Sequence, residues 1–457
     1  MTVPRTGIEV RPAARLEGEL RLPGDKSISH RALMLAILAD GESTVRGAGD
    51  GADVRSTAGI AAALGAEVES APGDGPNVDY LVRSGGADAL REPAGTLDCG
   101  NSGTSLRLFA GILAGQPIRA ILDGDASLRT RPVARIIEPL RSMGATLEAS
   151  DGDTRPPLTV TGRDLLRAID WSTPVPSAQV KSAILLAGLR ADGTTTVREA
   201  VATRDHTERM LRVRGVSVRS APGLDGGAVI EIEGGAVLQA RDELVPGDPS
   251  AAAFWLVAGA IHPAAHLRVR AVGVNPTRRA VIDILGRMGA SIDEVAIDGA
   301  ARALAPVSAP ATAGDGEPIA DLVVRSSALE AIELEPAETA AAIDEIPILC
   351  LAATQARGRS VIRGGGELRH KESDRIAGIV DGLTTLGARI EVRGDDIFID
   401  GPTRLRGDVV DSRGDHRLAL TFAIAGLIAG SHTTIGDAAS VSISYPTFFA
   451  DLERIRS

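Results

Sequence analysis

Lysine is scarce in this chain, so the few lysines are the first candidates for chemistry. Of the 49 cationic residues only Lys26, Lys181 and Lys371 are lysines, and the other 46 are arginines. A lysine ammonium can share or give up a proton, whereas the planar guanidinium of arginine stays charged. Lys26 and Lys371 lie in dense polar segments, and Lys181 lies in the apolar run 180–189. We assign chemistry to Lys26 and Lys371 first, with chance survival on a solvated face as the alternative.

The segment around Lys26 carries several groups that bind anions. If a helix begins there, residues four apart share a face, so Lys26 pairs with His30 and Ser27 with Arg31. An ammonium, a hydroxyl and a guanidinium together suit a phosphate or a carboxylate. We expect His30 to be satisfied by a neighbouring side chain rather than to react.

Acids also occur among the cations. Lys371 and Arg375 are four residues apart, with Glu372 beside them. Such a glutamate is usually an ion-pair partner, but it could also move a proton. Asp344 and Glu345 could cap a helix. Alternatively, an acid beside an anion site could accept a proton or a hydroxyl hydrogen bond.

Composition excludes several classes of function. The chain has 457 residues, 44% of them hydrophobic and 24% charged, which is typical of a soluble globular protein with more than one domain. A net charge of −11 and an aromatic content of 2% argue against a nucleic-acid partner. No apolar run is long enough to span a membrane, and residues 1–16 lack the apolar core of a signal peptide. We therefore expect a cytoplasmic protein without a membrane partner.

The sequence contains no pattern that indicates a metal or cofactor site. Cys99 and Cys350 form neither a disulfide framework nor a zinc spacing, and the seven histidines are scattered. We expect Cys350 to pack as a small hydrophobic residue. The turn 100–104 has the composition of an anion-binding loop, but it matches neither the Walker nor the dinucleotide pattern. We expect no metal and no cofactor.

One unit of sequence recurs six times. Each copy has a polar start rich in Gly, Ser or Asp, then a helix that is apolar on all sides and should be buried. In most copies a second helix follows, ending in Gly-Ala and an alternating segment typical of a strand. The polar starts are residues 24–27, 100–103, 176–179, 246–249, 343–346 and 414–417. The repeats predict a two-domain α/β fold of inside-out character, with buried helices and strands outside.

Three copies in each domain are the simplest division. We predict one domain over 24–243 and another over 1–23 and 244–457, with hinges near 22–25 and 244–248. The Ala/Pro/Gly-rich stretch 303–318 is interpreted as a surface loop.

The polar starts also collect cations. Helix N-terminal ends attract anions, so ends that meet in the cleft between the domains would form an anion site. The cations in or beside these starts and loops are Lys26, Arg31, Arg107, Arg129, Arg131, Arg204, Lys371, Arg375, Arg413 and Arg417. This gathering in an acidic protein predicts a cleft that focuses small polyanions.

Taken in order, these motifs resemble those of the EPSP synthase family of enolpyruvyl transferases. The matching stretches are residues 22–33, 100–104, 129–132, 177–183, 204–207, 343–345, 371–375 and 415–417. The resemblance implies two domains, each of three βαβαββ units, and an active site in the cleft between them. It implies transfer of the carboxyvinyl group of phosphoenolpyruvate to the 5-hydroxyl of 3-phosphoshikimate, with release of phosphate, by addition and elimination. This step belongs to chorismate and aromatic amino acid biosynthesis.

The resemblance also implies roles for individual residues. The catalytic candidates are Asp344 for the 5-hydroxyl proton, and Glu372 and Lys26 for proton transfer at C3 of phosphoenolpyruvate. The residues implied at 3-phosphoshikimate are Lys26, Ser27, Arg31, Ser177, Ala178, Gln179, Arg204, Asp344 and Lys371. The residues implied at phosphoenolpyruvate are Lys26, Asn101, Gly103, Arg131, Gln179, Arg375 and Arg417. No partner beyond these small anions is implied, and we expect a monomer.

Some positions depart from the family pattern. Some members have a lysine where this chain has the segment 441–446, and a second serine where it has Ala178. Gly103 occurs where some relatives insensitive to the inhibitor glyphosate have alanine, so we predict a sensitive enzyme.

Two alternatives of different classes stay open. The sister UDP-N-acetylglucosamine carboxyvinyltransferase shares the fold and the donor, but usually presents a reactive cysteine on a mobile loop. The other alternative is an idle anion-binding protein on the same fold, against which the retained acids and cations argue.

Overall fold

The computed structural model describes residues 7–297 and 316–457. Within this part the chain forms two compact units. The first unit comprises Gly24–Val245 with Gly316 and Glu317, and the second comprises residues 7–23, 246–297 and 318–457. Most of the loop interpreted at 303–318 lies outside the described residues.

The first unit has seven helical segments, of which α5 is a single turn. They are α1 (Lys26–Leu38), α2 (Ala52–Ala63), α3 (Gly103–Ala114), α4 (Ala134–Ser142), α5 (Ser150–Asp153), α6 (Ala178–Gly188) and α7 (His206–Arg212). Its strands are β3 (Ala39–Gly49), β4 (Glu67–Pro72), β5 (Asn77–Gly85), β6 (Leu97–Asp98), β7 (Arg119–Asp123), β8 (Thr146–Ala149), β9 (Arg155–Thr161), β10 (Leu166–Arg167), β11 (Asp170–Ser172), β12 (Ala191–Asp192), β13 (Thr194–Glu199), β14 (Val218–Pro222), β15 (Ala228–Glu233), β16 (Leu238–Gln239) and β17 (Glu243–Leu244).

The described part of the second unit has seven helices and eleven strands, against fifteen strands in the first unit. Its helices are α8 (Pro249–Ile261), α9 (Ala280–Arg287), α10 (Pro336–Ala341), α11 (Ile346–Gln355), α12 (Arg375–Thr385), α13 (His416–Ile428) and α14 (Phe448–Ile455). Its strands are β1 (Ile8–Val10), β2 (Leu16–Arg21), β18 (Ala265–Gly273), β19 (Ser291–Ala296), β20 (Ile319–Arg325), β21 (Glu333–Leu334), β22 (Gly358–Ile362), β23 (Arg389–Arg393), β24 (Asp396–Gly401), β25 (Val409–Asp411) and β26 (Thr433–Gly436).

Three helices in each unit are apolar on nearly all sides beyond their polar N-terminal turns and are buried almost entirely. They are α1, α3 and α6 in the first unit, and α8, α11 and α13 in the second. A helix without a polar face has no side to present to water, so it packs in the centre of its unit. Each unit therefore has its own helical core.

One strand pattern recurs beside these helices. A strand pairs parallel to a short strand on one side and antiparallel to one arm of a hairpin on the other; β6–β7–β9–β8 and β21–β22–β24–β23 are examples. The last sheet is shorter, because β26 pairs with β25 and with the N-terminal strand β1. The chain is thus a mixed α/β protein.

The Gly-Ala signals are confirmed as helix ends. Gly65 and Gly144 follow α2 and α4 with φ angles of 104° and 108°, which suit only glycine. The alternating residues that follow form β4 and β8. No helix in the described ranges is long and apolar enough to cross a membrane.

Candidate active site

The polar starts of the buried helices act first as helix caps. Asp25 accepts a hydrogen bond from the backbone N–H of Ile28, and Ser177 accepts one from Val180. The other side-chain caps on these buried helices are Ser102 for α3, Asp248 for α8 and Asp415 for α13. Each cap satisfies one free N–H and leaves others at the helix end for a ligand.

Lys26 begins α1 and pairs with an acid that the sequence did not reveal. Its ammonium donates to Asp53 Oδ2 on α2 at 3.1 Å. Burial alone would raise the pKa of Asp53, but Lys26, His30 and Arg131 together outweigh burial and hold it below its usual value. The Lys26 side chain keeps 43% of its surface exposed, so the ammonium is both oriented and accessible.

His30 is buried and satisfied by a neighbour, as predicted. Its Nδ1 lies 2.6 Å from the Thr57 hydroxyl, which in turn lies 2.7 Å from the Ser105 hydroxyl. Burial lowers the pKa of His30 to about 3. A neutral, enclosed imidazole has a structural role here.

Arg31 is held by three hydrogen bonds inside the first unit. Nε donates to the Thr207 hydroxyl at 2.7 Å, one terminal nitrogen to the Ser182 hydroxyl at 2.8 Å, and the other to the Ser27 carbonyl at 3.0 Å. Each terminal nitrogen keeps a second N–H for another acceptor. Burial and the nearby Arg204 lower the pKa of Arg31 to about 10, although Glu208 opposes this. Arg31 and Arg204 are therefore both candidates to bind an anionic group of the substrate.

The N-terminal turn of α3 forms a second set of donors. Arg107 donates to Gln179 Oε1 at 2.7 Å, and Gln179 donates to the Thr104 hydroxyl at 2.9 Å. A Cβ added at Gly103 would lie 2.6 Å from an Arg107 terminal nitrogen and 3.6 Å from one of Arg131. Gly103 thus gives both guanidiniums room beside the backbone.

Arg131 is oriented by the neighbouring turn. Its terminal nitrogen donates to Asn101 Oδ1 at 2.5 Å, and Asn101 donates to Asp125 at 2.8 Å. The predicted pair of Asn101 and Arg131 is therefore brought together, with Asp125 as an anchor that sequence reasoning missed.

The second unit carries a cluster centred on Arg375, which is 1% exposed. Its Nε donates to Asp415 at 2.8 Å, and a terminal nitrogen donates to Glu372 at 2.5 Å. The other terminal nitrogen lies 3.6 Å from Asp344 and has no hydrogen-bond partner in the described chain. Its guanidinium therefore has capacity for one more acceptor.

Asp344 lies among three cations. Besides Arg375, Lys371 Nζ and an Arg417 terminal nitrogen are each 3.9 Å from its carboxylate, and Arg417 donates to the Asp344 carbonyl at 2.8 Å. Neither Asp344 nor Glu345 caps α11 through its side chain; Glu345 instead accepts from Ser250 at 2.5 Å. The alternative that these acids merely cap a helix is wrong.

Glu372 is held as a carboxylate. Burial alone would raise the pKa of Glu372, but Arg375, its own backbone N–H, His416 and Arg417 outweigh burial and lower it to about 2. A group with this pKa accepts protons poorly at neutral pH as long as these cations face it.

Some predicted cations do not belong to either cluster. Arg129 pairs with Asp123 at 2.5 Å and Arg413 pairs with Asp381, both as partly exposed ion pairs. Lys181 is buried between two glutamates rather than solvated. Arg129 and Arg413 therefore have carboxylate partners of their own, and the gathering of the other cations in one cleft stays a prediction.

The two cysteines are not reactive groups. Cys99 is fully buried, and burial with nearby Asp98 and Asp123 raises its thiol pKa. Cys350 lies in the core of the second unit, as predicted, with its pKa raised to about 12. A thiolate nucleophile would need the opposite shift.

Comparison with known proteins decides the family. The model of the family EPSP synthase (3-phosphoshikimate 1-carboxyvinyltransferase) matches residues 10–452. This chain belongs to the EPSP synthase family. The chain is therefore an enzyme, a transferase of this family, as the motifs implied.

Relatives at high identity support the same family. The 3-phosphoshikimate 1-carboxyvinyltransferase of Gloeobacter violaceus is 49% identical over 448 residues, covering 98% of both chains. One from Bacillus cereus is 45% identical over 440 residues, covering 96% of this chain and 97% of its own. The EPSP synthase structure from Acinetobacter baumannii has a TM-score of 0.86 at 38% identity, with 98% of both chains covered.

A more distant enolpyruvyl transferase shares the fold. NikO from Streptomyces tendae has a TM-score of 0.74 at 19% identity, covering 98% of this chain and 97% of its own.

The described residues contain no group of three or more His, Cys, Asp or Glu side chains that could hold a metal.

Several residues that hold the predicted site residues in place were not predicted from the sequence. They are Asp53, Asp125, Ser182, Thr207, Ser250 and Asp415. Asp415, Thr207 and Ser182 lie within motifs that match the family, which was the one available signal. The others contact the predicted residues only through the tertiary fold.

Proposed function

We infer that this chain transfers the carboxyvinyl group of phosphoenolpyruvate to the 5-hydroxyl of 3-phosphoshikimate, giving 5-enolpyruvylshikimate 3-phosphate and phosphate. The observation that carries this inference is the Asp344 carboxylate among Lys371, Arg375 and Arg417, in a member of the EPSP synthase family. Binding of two anions explains the cations, and a proton acceptor for the attacking hydroxyl explains the acid among them. The reaction serves aromatic amino acid biosynthesis.

The 3-phosphoshikimate site is proposed to draw on both units. From the first unit we propose Lys26, Ser27, Arg31, Ser177, Ala178, Gln179 and Arg204, and from the second Asp344 and Lys371. The buried, hydrogen-bonded Arg31 and its neighbour Arg204 suit the phosphate or carboxylate of this substrate. Ala178 has no side-chain donor, so it would bind 3-phosphoshikimate only through its backbone N–H at the start of α6.

Phosphoenolpyruvate is proposed to contact a second set of donors. These are Lys26, Asn101, Gly103, Arg131 and Gln179 from the first unit, with Arg375 and Arg417 from the second. The spare capacity of the Arg375 guanidinium supports this assignment, because a carboxylate would supply the missing acceptor.

The chemistry is an addition followed by an elimination. C3 of phosphoenolpyruvate takes a proton while the 5-hydroxyl oxygen attacks C2 and gives its proton to Asp344. The tetrahedral intermediate then loses phosphate as C3 returns a proton. Glu372 and Lys26 are the proposed groups for the two proton transfers at C3.

The state of Glu372 suggests how binding prepares this step. In the structure Arg375 donates to Glu372, and the pKa of Glu372 is about 2. A substrate carboxylate that takes over Arg375 would withdraw a cation from Glu372 and raise its pKa toward the working pH. Glu372 would then become able to accept and return a proton.

The experiment that tests this function compares acceptors. We expect the protein to release phosphate from phosphoenolpyruvate with 3-phosphoshikimate and not with UDP-N-acetylglucosamine. The buried, unreactive Cys99 argues against the second acceptor. Phosphate release with UDP-N-acetylglucosamine alone would identify the sister enzyme, and none with either acceptor would indicate an idle binding protein.

We also propose finer features of the whole chain. The recurring sheet and buried helix support six copies of one βαβαββ repeat, three in each of two inside-out domains. Acidic composition and the family support a cytoplasmic monomer.

A further inference from the structure

Lys181 lies at the centre of a buried ion cluster in the first unit. Its ammonium is 2.9 Å from Glu199 Oε2 and 2.8 Å from Glu208 Oε1, and all three side chains are at most 1% exposed. Burial alone would lower the pKa of Lys181, but the two glutamates outweigh burial and raise it. Two carboxylates opposite one ammonium leave this cluster with excess negative charge.

The cluster shares its supporting helices with Arg31. Ser182 follows Lys181 on α6, and Thr207 precedes Glu208 on α7. The two hydroxyls lie 2.7 Å apart, and both accept hydrogen bonds from Arg31. Any change in the spacing of α6 and α7 at the ion cluster would therefore move both acceptors of Arg31.

The cluster also holds the loop before Arg204. Lys181 donates to the Thr203 carbonyl at 3.3 Å, and Thr203 donates to Glu199 from its backbone N–H at 3.3 Å and from its hydroxyl. Arg204 is the next residue, and its charge contributes to the lowered pKa of Arg31. Both guanidiniums are thus tied to the same three buried side chains.

We propose that the cluster of Lys181, Glu199 and Glu208 is a positioning device that sets Arg31 and Arg204 at the spacing needed by the phosphate-bearing acceptor. The proposal rests on the function inferred above and deepens it. None of the three side chains contacts substrate in this account. They act through the two arginines.

If the cluster affected the substrate only through its charge, one variant would show the opposite change in affinity to the one expected from positioning. Glu208 is an anion near an anion site, so its charge alone disfavours the substrate. If only that field matters, Glu208→Gln should tighten binding of 3-phosphoshikimate. If Glu208 positions Arg31, the same isosteric change should weaken binding, because a charge-assisted hydrogen bond to Lys181 is lost.

The experiment measures the KM for each substrate separately. In Glu208→Gln we expect the KM for 3-phosphoshikimate to rise by about tenfold, with the KM for phosphoenolpyruvate changed less than about twofold. The matched control is Glu243→Gln, because Glu243 pairs at 2.9 Å with the fully buried Arg214 in the same unit. The control should lower the thermal midpoint without changing either KM.

A second variant covers the case in which Glu208→Gln does not fold. Thr207→Val removes one acceptor of Arg31 with little change in shape, and it should give the same selective rise in KM. A double-mutant cycle with Arg31→Met tests whether the effect passes through Arg31. We expect the double variants to bind 3-phosphoshikimate no more weakly than Arg31→Met alone.

The outcomes separate this proposal from the function on which it rests. Wild-type turnover with 3-phosphoshikimate, combined with equal changes in both KM values, no change, or additive effects in the cycle, would overturn the positioning role alone. Tighter binding in Glu208→Gln would replace it with the field effect. No wild-type turnover would overturn the function and this inference with it.

Discussion

Lys26 and Lys371 each lie near a carboxylate, Asp53 at 3.1 Å and Asp344 at 3.9 Å. A compact ammonium can approach a carboxylate and a substrate at once, whereas a guanidinium needs a planar arrangement of acceptors. We expect Lys26→Arg and Lys371→Arg to lower kcat/KM by about tenfold or more in steady-state kinetics. Arg55→Lys, on the exposed face of α2, is the matched control and should leave kcat/KM unchanged.

Lys181→Arg belongs to a different class. We expect a milder kinetic effect than at the other two lysines, because the side chain is fully buried between two glutamates. The longer guanidinium overfills this site, which costs about 1–3 kcal/mol of stability. Denaturation should show that loss, and because Lys181 is proposed to position Arg31, the KM for 3-phosphoshikimate should rise while kcat is largely kept. Equal losses of kcat in all three variants would refute a special role for Lys26 and Lys371.

The acids Asp344 and Glu372 should act on rate more than on binding. For Asp344→Ala and Glu372→Gln we expect kcat to fall by about 10²-fold or more, as for the loss of a positioned acid or base. Calorimetry should find 3-phosphoshikimate binding largely retained. If affinity falls in proportion to rate, both acids serve only to hold Arg375 and Arg417.

Gly103 gives a prediction about inhibitor selectivity. The wild type should be inhibited by glyphosate, and Gly103→Ala should raise its inhibition constant more than the KM for phosphoenolpyruvate. The new Cβ would push on a terminal nitrogen of Arg107, which lies at the flexible end of that side chain and can move. The space that remains should still admit phosphoenolpyruvate, which is the smaller ligand, better than glyphosate. Gly59→Ala, where a Cβ meets nothing within 4 Å, is the control.

If glyphosate does not inhibit the wild type, or inhibits the wild type and Gly103→Ala equally, the phosphoenolpyruvate pocket does not lie at Gly103. The same result would contradict the role at phosphoenolpyruvate that the family resemblance implies for Gly103. It would also remove the support that Gly103 gives to the grouping of Arg375 and Arg417 at the same ligand.

The partners of individual residues explain what the sequence could not predict. Arg375 and Lys371 were found from their spacing of four residues, but the helix begins only at Arg375, so Lys371 lies before it and both reach Asp344 without sharing a helical face. Asp415, which fixes Arg375, is 40 positions away, and Glu208, which holds Lys181, is 27 positions away. Such contacts depend on how helices pack, and no local pattern encodes them.

At the scale of elements, the close contact of α3 with α6 sets the site. A Cβ added at Gly111 on α3 would lie 2.3 Å from the Ala183 carbonyl oxygen on α6. Backbone cannot yield as a side chain can, so Gly111→Ala should force the two helices apart. Their N-terminal turns carry Gly103 and Gln179, so the shift would reach both substrates.

We expect Gly111→Ala to lower stability by about 1–3 kcal/mol or more, and to raise the KM for both substrates. Chemical denaturation and steady-state kinetics measure the two effects. A variant with native stability and native KM values would show that the helices tolerate separation there.

The helices themselves were largely predictable. Apolarity on all sides predicted the buried helices, although they begin earlier than their apolar runs: α1 begins at Lys26 and α13 at His416. The polar starts are the first helical turns and their caps. Sheet pairing was less accessible, because strands such as β10 and β12 have two residues each and no periodicity.

At the scale of the whole molecule, the proposed site requires residues from both units. We expect 3-phosphoshikimate to compact the protein, because its anionic groups would be shared by cations of both units around the hinges near Pro23 and Pro246. Small-angle scattering with and without this substrate measures the change in radius of gyration. An unchanged radius would count against ligand-driven closure.

The function proposed for this chain is the transfer of the carboxyvinyl group to 3-phosphoshikimate. The most direct measurement follows phosphoenolpyruvate labelled with ¹³C at C2 by NMR, in the presence of the protein and 3-phosphoshikimate. We predict that the label appears as the vinylic carbon of an enol ether on the acceptor, in step with inorganic phosphate. Label in free pyruvate, or unchanged phosphoenolpyruvate, would contradict the account.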